Sequence, residues 1–356
     1  MTYKETLFFV AKCLTISLKE KNREEIERKL QSEEIDWDAV VKVSTGHYVF
    51  PALYCNLKRV DFLKYVPADL VEYMKYITDL NRERNVLIIE QAKELNQLLL
   101  ANNIIPIFLK GTGNLLEGLY DDIAERMVGD IDIIIDKANV KKSNNILIQN
   151  GYISNFDLYD GHRHLSRIVK KNKIAAVEIH KEFLEKPNRT FFNYNIIQYF
   201  KLKNNIHVLS LIDKLALTIL SNQINDNAFK KANISLRSFY DFMILNNNNN
   251  NNNNLIIKYS HFQKIIQSYF SVFNFLFIPD FNFSKKSIIV FQVKKVDWLL
   301  NNPKIANIYF KYINLSSYLS VSFFILIKSF YSKSYFKFTI SRLVSIDWYK
   351  RRFLRN

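Results

Sequence analysis

An alternation of acidic and apolar residues in the segment VGDIDIIID (128–136) constrains the fold of this chain more than any other feature. Alternate residues of a β-strand point to opposite faces, so Asp130 and Asp132 share one face, and Ile131, Ile133 and Ile135 share the other. Aspartate is depleted in strands, and an ionised carboxylate near a core is costly unless something pairs with it. The segment therefore predicts a strand with one solvated face, or a strand whose two carboxylates hold a cation.

The segments on both sides of this strand predict a mixed α/β core. The run IIPIFLK (104–110) is short and apolar, as expected of a strand, and GTGNLLEGLY (111–120) predicts a turn that opens a helix. After the acidic strand we expect a helix that ends at Gly151, and then a hairpin over 164–183 that turns at Lys171-Asn172. Strands and helices in this order are typical of a mixed sheet covered by helices.

Helical patterns flank the core. The stretch 68–101 contains neither Gly nor Pro, and its apolar residues recur at spacings of three and four, which predicts one long helix. Nine consecutive asparagines cannot bury apolar surface and predict a flexible connector. We therefore expect five parts: an N-terminal helical region (1–101), an α/β core (102–205), a helical region that packs on the core (206–245), an Asn-rich linker (246–254) and a basic, aromatic-rich C-terminal region (255–356).

A second predicted strand repeats the acidic alternation. In AAVEIHKEF (175–183), Glu178 and His180 share one face, and Val177 and Ile179 share the other. Two-metal phosphoryl chemistry needs bridging acids for two cations about 3.5–4 Å apart, and a third carboxylate on a neighbouring strand suits that purpose. The alternative is a hairpin with a polar face.

The segment LKGTG (109–113) connects the first predicted strand to its helix. Backbone N–H groups at a glycine-containing turn and a helix N-terminus form an anion site. In such a site Lys110 would supply a charge and Thr112 a hydroxyl for nucleotide phosphates, while Gly111 and Gly113 would form the turn. Glycines that serve only the turn are the alternative.

This order of elements resembles the nucleotidyltransferase fold of the polymerase-β-like superfamily. It most resembles a bacterial branch of largely uncharacterised nucleotidyltransferases, marked by an L-K-G turn, an R-x-x-G-D-x-D segment and an acid-x-His strand. The matching segments here are 109–111, 126–132 and 178–180, and the resemblance covers roughly residues 85–245. It implies an α/β (α+β) nucleotidyltransferase core with a mixed sheet, flanked by N-terminal and C-terminal helical regions.

The resemblance also implies an activity, the Mg²⁺- or Mn²⁺-dependent transfer of a nucleoside monophosphate from an NTP to an acceptor. The implied catalytic metal ligands are Asp130, Asp132 and Glu178. The candidate nucleotide-binding residues are Lys110, Gly111, Thr112, Gly113 and Arg126, and the candidate substrate contacts are His180 and Arg163. Arg126 has a second interpretation, as a brace for the acids or a partner of Glu125 or Asp122. The departures from the superfamily pattern, such as Gly-Thr for Gly-Ser, remove no required ligand.

Two alternative functions remain open, and the first of them rests on charge. Residues 1–150 carry 20 Lys and Arg against 23 Asp and Glu, whereas residues 151–356 carry 30 against 11. A basic half favours an anionic partner, so a basic single-stranded nucleic-acid-binding protein is one alternative, although no RNA- or DNA-binding motif is present. The other is a catalytically inactive nucleotide-binding protein of the same fold. The acceptor of an active enzyme, whether small molecule, sugar phosphate or protein, is not specified by the sequence.

Two features bear on localisation. Only two cysteines in 356 residues favour a reducing cytoplasm. The stretch 312–327 has no charge, but it has only 16 residues and contains an Asn and four Ser, so we expect it not to span a membrane. We expect a buried aromatic helix followed by a solvated basic tail, with peripheral contact to an anionic membrane as the alternative.

Overall fold

The computed structural model describes residues 1–32, 34–154, 158–202, 204–246, 251–278 and 287–345. The prediction of a flexible connector falls partly on 247–250, and that of a solvated basic tail falls partly on 346–356, both outside the described residues. Immediately after 247–250, the last asparagines of the run begin a helix at Asn252.

A seven-stranded mixed sheet forms the centre of the fold. Its strands are β1 (Ile107–Phe108), β2 (Asp130–Ile134), β3 (Tyr152–Ser154), β4 (Ile168–Lys170), β5 (Ala176–His180), β6 (Tyr199–Lys201) and β7 (His207–Leu209). They lie in the order β3-β4-β5-β2-β1-β7-β6. Strands β2 and β5 are parallel neighbours, and their register sets Asp132 opposite Glu178. The two acidic strands inferred from the sequence therefore lie side by side.

Helices surround the sheet. The first five are α1 (Tyr3–Cys13), α2 (Glu20–Ser32), α3 (Trp37–Gly46), α4 (Phe50–Arg59) and α5 (Ala68–Leu100). Within and directly after the core come α6 (Lys110–Glu117), α7 (Val140–Gln149), α8 (Leu211–Leu220), α9 (Ala228–Lys231) and α10 (Leu236–Asn246). The C-terminal ones are α11 (Asn252–Lys258), α12 (Gln263–Phe277), α13 (Ser287–Asn301), α14 (Pro303–Ser329) and α15 (Lys333–Leu343). A mixed sheet flanked by helical regions confirms the predicted fold class.

Strand β2 is buried on both faces. Ile131 and Ile133 on one face are fully buried, and Asp132 and Ile134 on the opposite face are buried as well. Central strands covered by helices on both sides lose their solvated face. The interpretation of this strand as half-solvated is therefore wrong at Asp132, and that carboxylate must be paired.

The prediction of a buried aromatic helix at 312–327 is wrong. The stretch lies within α14, in which Ala306 is the only buried residue. Burial depends on whether another element covers a helix, and composition alone does not determine that. Among the described residues, α14 is the one helix long and apolar enough, by length and composition, to cross a membrane.

Candidate active site

Three carboxylates lie close together on one face of the paired strands β2 and β5. Ligand atoms of Asp132, Glu178 and His180 all lie within 4.8 Å of one another. Arg167 links Asp130 to this group, since its Nη2 atom is 2.5 Å from Asp130 Oδ2 and 3.0 Å from Glu178 Oε1. The structure thus brings together the three acids that the sequence singled out.

Two cationic side chains neutralise these acids. Lys110 Nζ donates a hydrogen bond of 2.9 Å to Asp132 Oδ1, and Arg167 donates from Nε to Glu178 Oε1 at 3.1 Å as well as pairing with Asp130. A buried carboxylate keeps its charge only when such partners compensate for lost hydration. Lys110 was predicted from the sequence, and Arg167 was not.

His180 orients Asp132. Its Nε2 lies 2.6 Å from Asp132 Oδ1, and its Nδ1 lies 3.2 Å from Arg163 Nη1. A guanidinium can only donate, so Nδ1 must accept, and the ring proton is on Nε2, from which it is donated to Asp132. Burial lowers the pKa of His180 despite the nearby carboxylate, which keeps the ring neutral and consistent with this tautomer. Arg163 thereby contacts the ring that holds the acid.

The two aspartates of β2 differ electrostatically. The pKa of Asp130 is raised, first because burial disfavours its charged form and then because the charges of Asp132 and Glu178 are near. Burial acts in the same direction on Asp132, but the charge of Lys110 and the hydrogen bond from His180 outweigh it and hold the pKa of Asp132 below its ordinary value. Asp132 is therefore a carboxylate whose charge is stabilised before any substrate arrives.

Residues 110–113 of the segment LKGTG belong to the helix itself. Helix α6 begins at Lys110, so the predicted turn at 111–113 is wrong: these residues form the first turn of the helix. Lys110 has a φ of 50°, in the left-handed region that costs an ordinary residue about 1 kcal/mol or more. This backbone conformation accompanies the contact of its side chain with Asp132.

Close packing explains both glycines of this segment. A Cβ atom on Gly111 would lie 2.9 Å from Val128 Cγ2, and one on Gly113 would lie 2.7 Å from the Phe108 carbonyl oxygen. Thr112 is buried and its hydroxyl donates to the Asp130 carbonyl oxygen at 3.0 Å. Lys110 and Gly111 line the cleft described below, whereas Thr112 and Gly113 instead secure the helix to strands β1 and β2.

Arg126 is a buried brace. Its Nε lies 2.8 and 2.9 Å from the two carboxylate oxygens of Asp241 on α10, and the Tyr120 hydroxyl donates to the same carboxylate at 2.7 Å. Glu125 pairs instead with Arg59, and Asp122 with Arg82. The alternative of Arg126 as a partner of Glu125 or Asp122 is therefore wrong, and the residue ties the segment before β2 to α10.

Buried amides of α5 hold the backbone that leads into both acidic strands. Asn85 Nδ2 donates to the carbonyl oxygens of Ile123 and Arg126 at 2.6 and 2.8 Å. Gln91 donates to the Ala175 carbonyl oxygen at 2.8 Å and accepts from the Ala175 amide at 3.0 Å. The long helix predicted from apolar spacing therefore also positions the acids through its polar residues.

A cleft of about 310 Å³ opens beside the acids. It is lined by five acidic and five basic residues, namely Asp130, Asp132, Glu178, Asp226 and Asp241 with Lys110, Arg126, Arg163, Arg167 and Arg237. His164 also lines it; Nδ1–H donates to the Leu165 carbonyl oxygen, so the lone pair of Nε2 faces Glu178 Oε2 at 3.8 Å. A second cavity, of about 800 Å³, adjoins the first at His164 and is bounded by α15.

The donor set fits a hard divalent cation. Carboxylate oxygens are the ligands that Mg²⁺ prefers, and here three carboxylates share one face of two paired strands, with Arg167 between Asp130 and Glu178. Lys110 and His180 both contact Oδ1 of Asp132, so among the described residues Oδ2 is the oxygen of that carboxylate that is available to a metal ion.

Comparison with protein families agrees with this geometry. A family model described as "Uncharacterised nucleotidyltransferase" matches residues 33–264, which is more than half of the chain and includes the sheet and every residue of the acidic site. Comparisons with curated proteins and with solved structures gave no match. The match over this range shows that the chain belongs to the uncharacterised nucleotidyltransferase family.

Proposed function

We propose that this protein transfers a nucleoside monophosphate from an NTP to an acceptor with the help of Mg²⁺ or Mn²⁺. The observation that carries the proposal is the convergence of Asp130, Asp132 and Glu178, joined by Arg167 and Lys110, in a cleft of a nucleotidyltransferase-family chain. In this reaction an acceptor oxygen attacks the α-phosphorus, the bond to the pyrophosphate oxygen breaks, and pyrophosphate leaves.

The three carboxylates would hold the metal. A bound Mg²⁺ neutralises developing negative charge on the transferring phosphoryl group and activates the attacking oxygen. The protein's own part is to fix the acids: His180 holds Asp132 through Oδ1, and the register of β2 and β5 sets Glu178 beside it. Where the acceptor is a hydroxyl, Glu178 would take its proton.

The basic residues of the cleft would bind the triphosphate. Lys110 and Arg167 now neutralise the acids, and both would have a phosphate partner once the metal occupies the carboxylates. Arg163 and Arg237 line the same cleft. Guanidinium groups bind phosphate oxygens through paired hydrogen bonds, which suits them to this role.

The acceptor would bind in the second cavity. Lys181, Lys333, Lys337 and Arg342 line it, Asp160 is the one acidic residue among the described residues of its lining, and it meets the cleft at His164. This charge favours an acceptor that carries phosphate or another anionic group, such as a sugar phosphate. Lys337→Glu should then raise the KM of the acceptor several-fold and leave the KM of the NTP unchanged; an equal rise in both would place the acceptor elsewhere.

The test of the activity is pyrophosphate release from each of the four NTPs with Mg²⁺ or Mn²⁺, in the presence of candidate phosphorylated acceptors, with product detection by mass. Glu178→Gln should reduce turnover far more than NTP binding, because its role is on the acceptor side of the transition state. Metal-dependent NTP binding without any pyrophosphate release would favour the inactive nucleotide-binding protein instead. We further propose a cytoplasmic location, where NTPs are available.

A further inference from the structure

We propose that the hairpin formed by α14 and α15 docks this protein on the surface of an anionic lipid membrane. The two helices are joined at 330–332, and Phe324 contacts Tyr335 across the turn, with ring centroids 6.3 Å apart. The inference rests on the surface of this hairpin and is independent of the proposed activity.

The outward face of the hairpin is apolar and exposed. Along α14, large apolar residues recur at spacings of three and four and are all exposed: Ile308, Tyr312, Leu315, Leu319, Phe323, Leu326 and Phe330. Phe336, Ile340 and Leu343 extend this exposed surface on α15. A continuous apolar stripe of this length on the surface of a protein marks an interaction site.

The turn of the hairpin carries the most exposed aromatic residues. Phe330 is 79% exposed and Tyr331 is 83% exposed. Lys328 precedes them and Lys333 follows them. Aromatic side chains flanked by lysines suit the boundary of a bilayer, where the rings enter the headgroup region and the ammonium groups meet lipid phosphates.

The charge of the hairpin identifies an anionic membrane as its partner. Residues 303–345 contain six Lys and Arg and not one Asp or Glu: Lys304, Lys311 and Lys328 lie on α14, and Lys333, Lys337 and Arg342 on α15 also line the second cavity. Each basic side chain close to an anionic lipid surface strengthens binding about fivefold. A second copy of the hairpin would bring six positive charges against six, so charge complementarity disfavours self-association.

The helix contacts the membrane from one side. At its start, the Tyr309 hydroxyl donates to the Lys230 carbonyl oxygen of α9 at 2.7 Å. After the turn, α15 returns to the core, where the Asp160 amide donates to Ser334 Oγ at 2.9 Å and the rings of Tyr159 and Tyr335 are 4.8 Å apart. Since both ends contact the same body, α14 lies at the surface and does not cross the bilayer.

Sedimentation of the full chain with vesicles tests the proposal, with phosphatidylcholine vesicles compared with vesicles that also contain phosphatidylglycerol. We expect salt-sensitive pelleting with the anionic vesicles alone. The double variant Phe330→Ser, Tyr331→Ser should lose at least about fivefold in binding, and Lys328→Glu should lose a similar amount. The matched control is Tyr76→Ser on α5, which removes an aromatic side chain that is 61% exposed and should bind as wild type.

Three results would overturn the proposal. The first is equal sedimentation with and without anionic vesicles. The second is wild-type binding by the double variant. The third is a concentration-dependent dimer that the double variant abolishes, since a second copy of the chain would then cover the stripe. Pyrophosphate release in solution is measured separately, so failure of the activity and failure of membrane docking are distinguishable.

Discussion

On one face of the paired strands β2 and β5 charged side chains are buried, whereas along α14 apolar side chains are exposed. Asp132 and His180 are almost fully buried, and each has a charged or hydrogen-bonding partner within 3 Å. Leu319 and Phe323 on α14 are exposed, although they are among the residue types most often found in a core. Both arrangements are costly in an isolated molecule, and the proposed ligands would offset each cost: metal and nucleotide in the cleft, lipid at the hairpin.

The largest effect is expected from Asp132→Asn. This change removes the carboxylate that Lys110 and His180 hold in place, and so removes a proposed metal ligand. Turnover should fall about 10³-fold, equivalent to about 4 kcal/mol of transition-state stabilisation. The measurement is pyrophosphate release at saturating Mg²⁺, with circular dichroism to confirm the fold, and Asp136→Asn outside the acidic site is the matched control.

Truncating one apolar side chain in β2 and one on α14 compares how much burial contributes to stability in the two regions. Ile133 in β2 is fully buried, so Ile133→Ala should destabilise the protein by about 2–4 kcal/mol through lost burial and a residual cavity. Leu319→Ala on exposed α14 should change the free energy of unfolding by less than about 0.5 kcal/mol, since alanine is also a better helix former. Urea unfolding of dilute protein measures both. A large cost for Leu319→Ala would show that another surface covers the stripe.

The acidic site was predictable because its pattern is local. The two-residue period of a strand sets Asp130 beside Asp132, and Glu178 beside His180, without any knowledge of the rest of the fold. Arg167 was not predictable in the same way, because its position depends on hairpin register. A two-residue turn at Lys171-Asn172 would set Leu165 opposite Glu178, whereas the observed pairing of Ile168 with Val177 brings Arg167 to that acid.

The exposure of α14 and the polar contacts of α5 could not be predicted from local sequence patterns either. The stretch 312–327 has the composition of a core helix, and only the positions of the other elements leave it exposed. Gln91 and Asn85 follow the spacing of the buried face of α5, yet their carbonyl and amide partners lie 38 to 84 residues away in the chain. Local patterns determine which residues share a face; long-range packing determines what that face contacts.

Asn85→Ala tests whether α5 supports the site from a distance. The change removes hydrogen bonds to two buried carbonyl oxygens before β2 and should destabilise the protein by about 1–3 kcal/mol. The segment 123–126, which Asn85 holds in place, leads directly into β2. The variant should therefore lose turnover as well as stability. Gln97→Ala, on the exposed face of the same helix, is the control and should change neither. The measurements are unfolding in denaturant and NTP turnover. Wild-type values for Asn85→Ala would show that the hydrogen bonds of Asn85 are dispensable.

The smallest expected effect is a difference in melting temperature, in the absence of metal, between variants of the two aspartates of β2. Folding raises the pKa of Asp130, so its charged form is disfavoured in the native state, and Asp130→Asn should hold or slightly raise the melting temperature at pH 7. Folding lowers the pKa of Asp132, whose charged form is favoured, so Asp132→Asn should lower the melting temperature and leave Lys110 without its partner. Thermal melts in EDTA measure both. A fall of equal size in the two variants would mean that Arg167 stabilises Asp130 as strongly as Lys110 stabilises Asp132, and that both charges are fully compensated before metal binds.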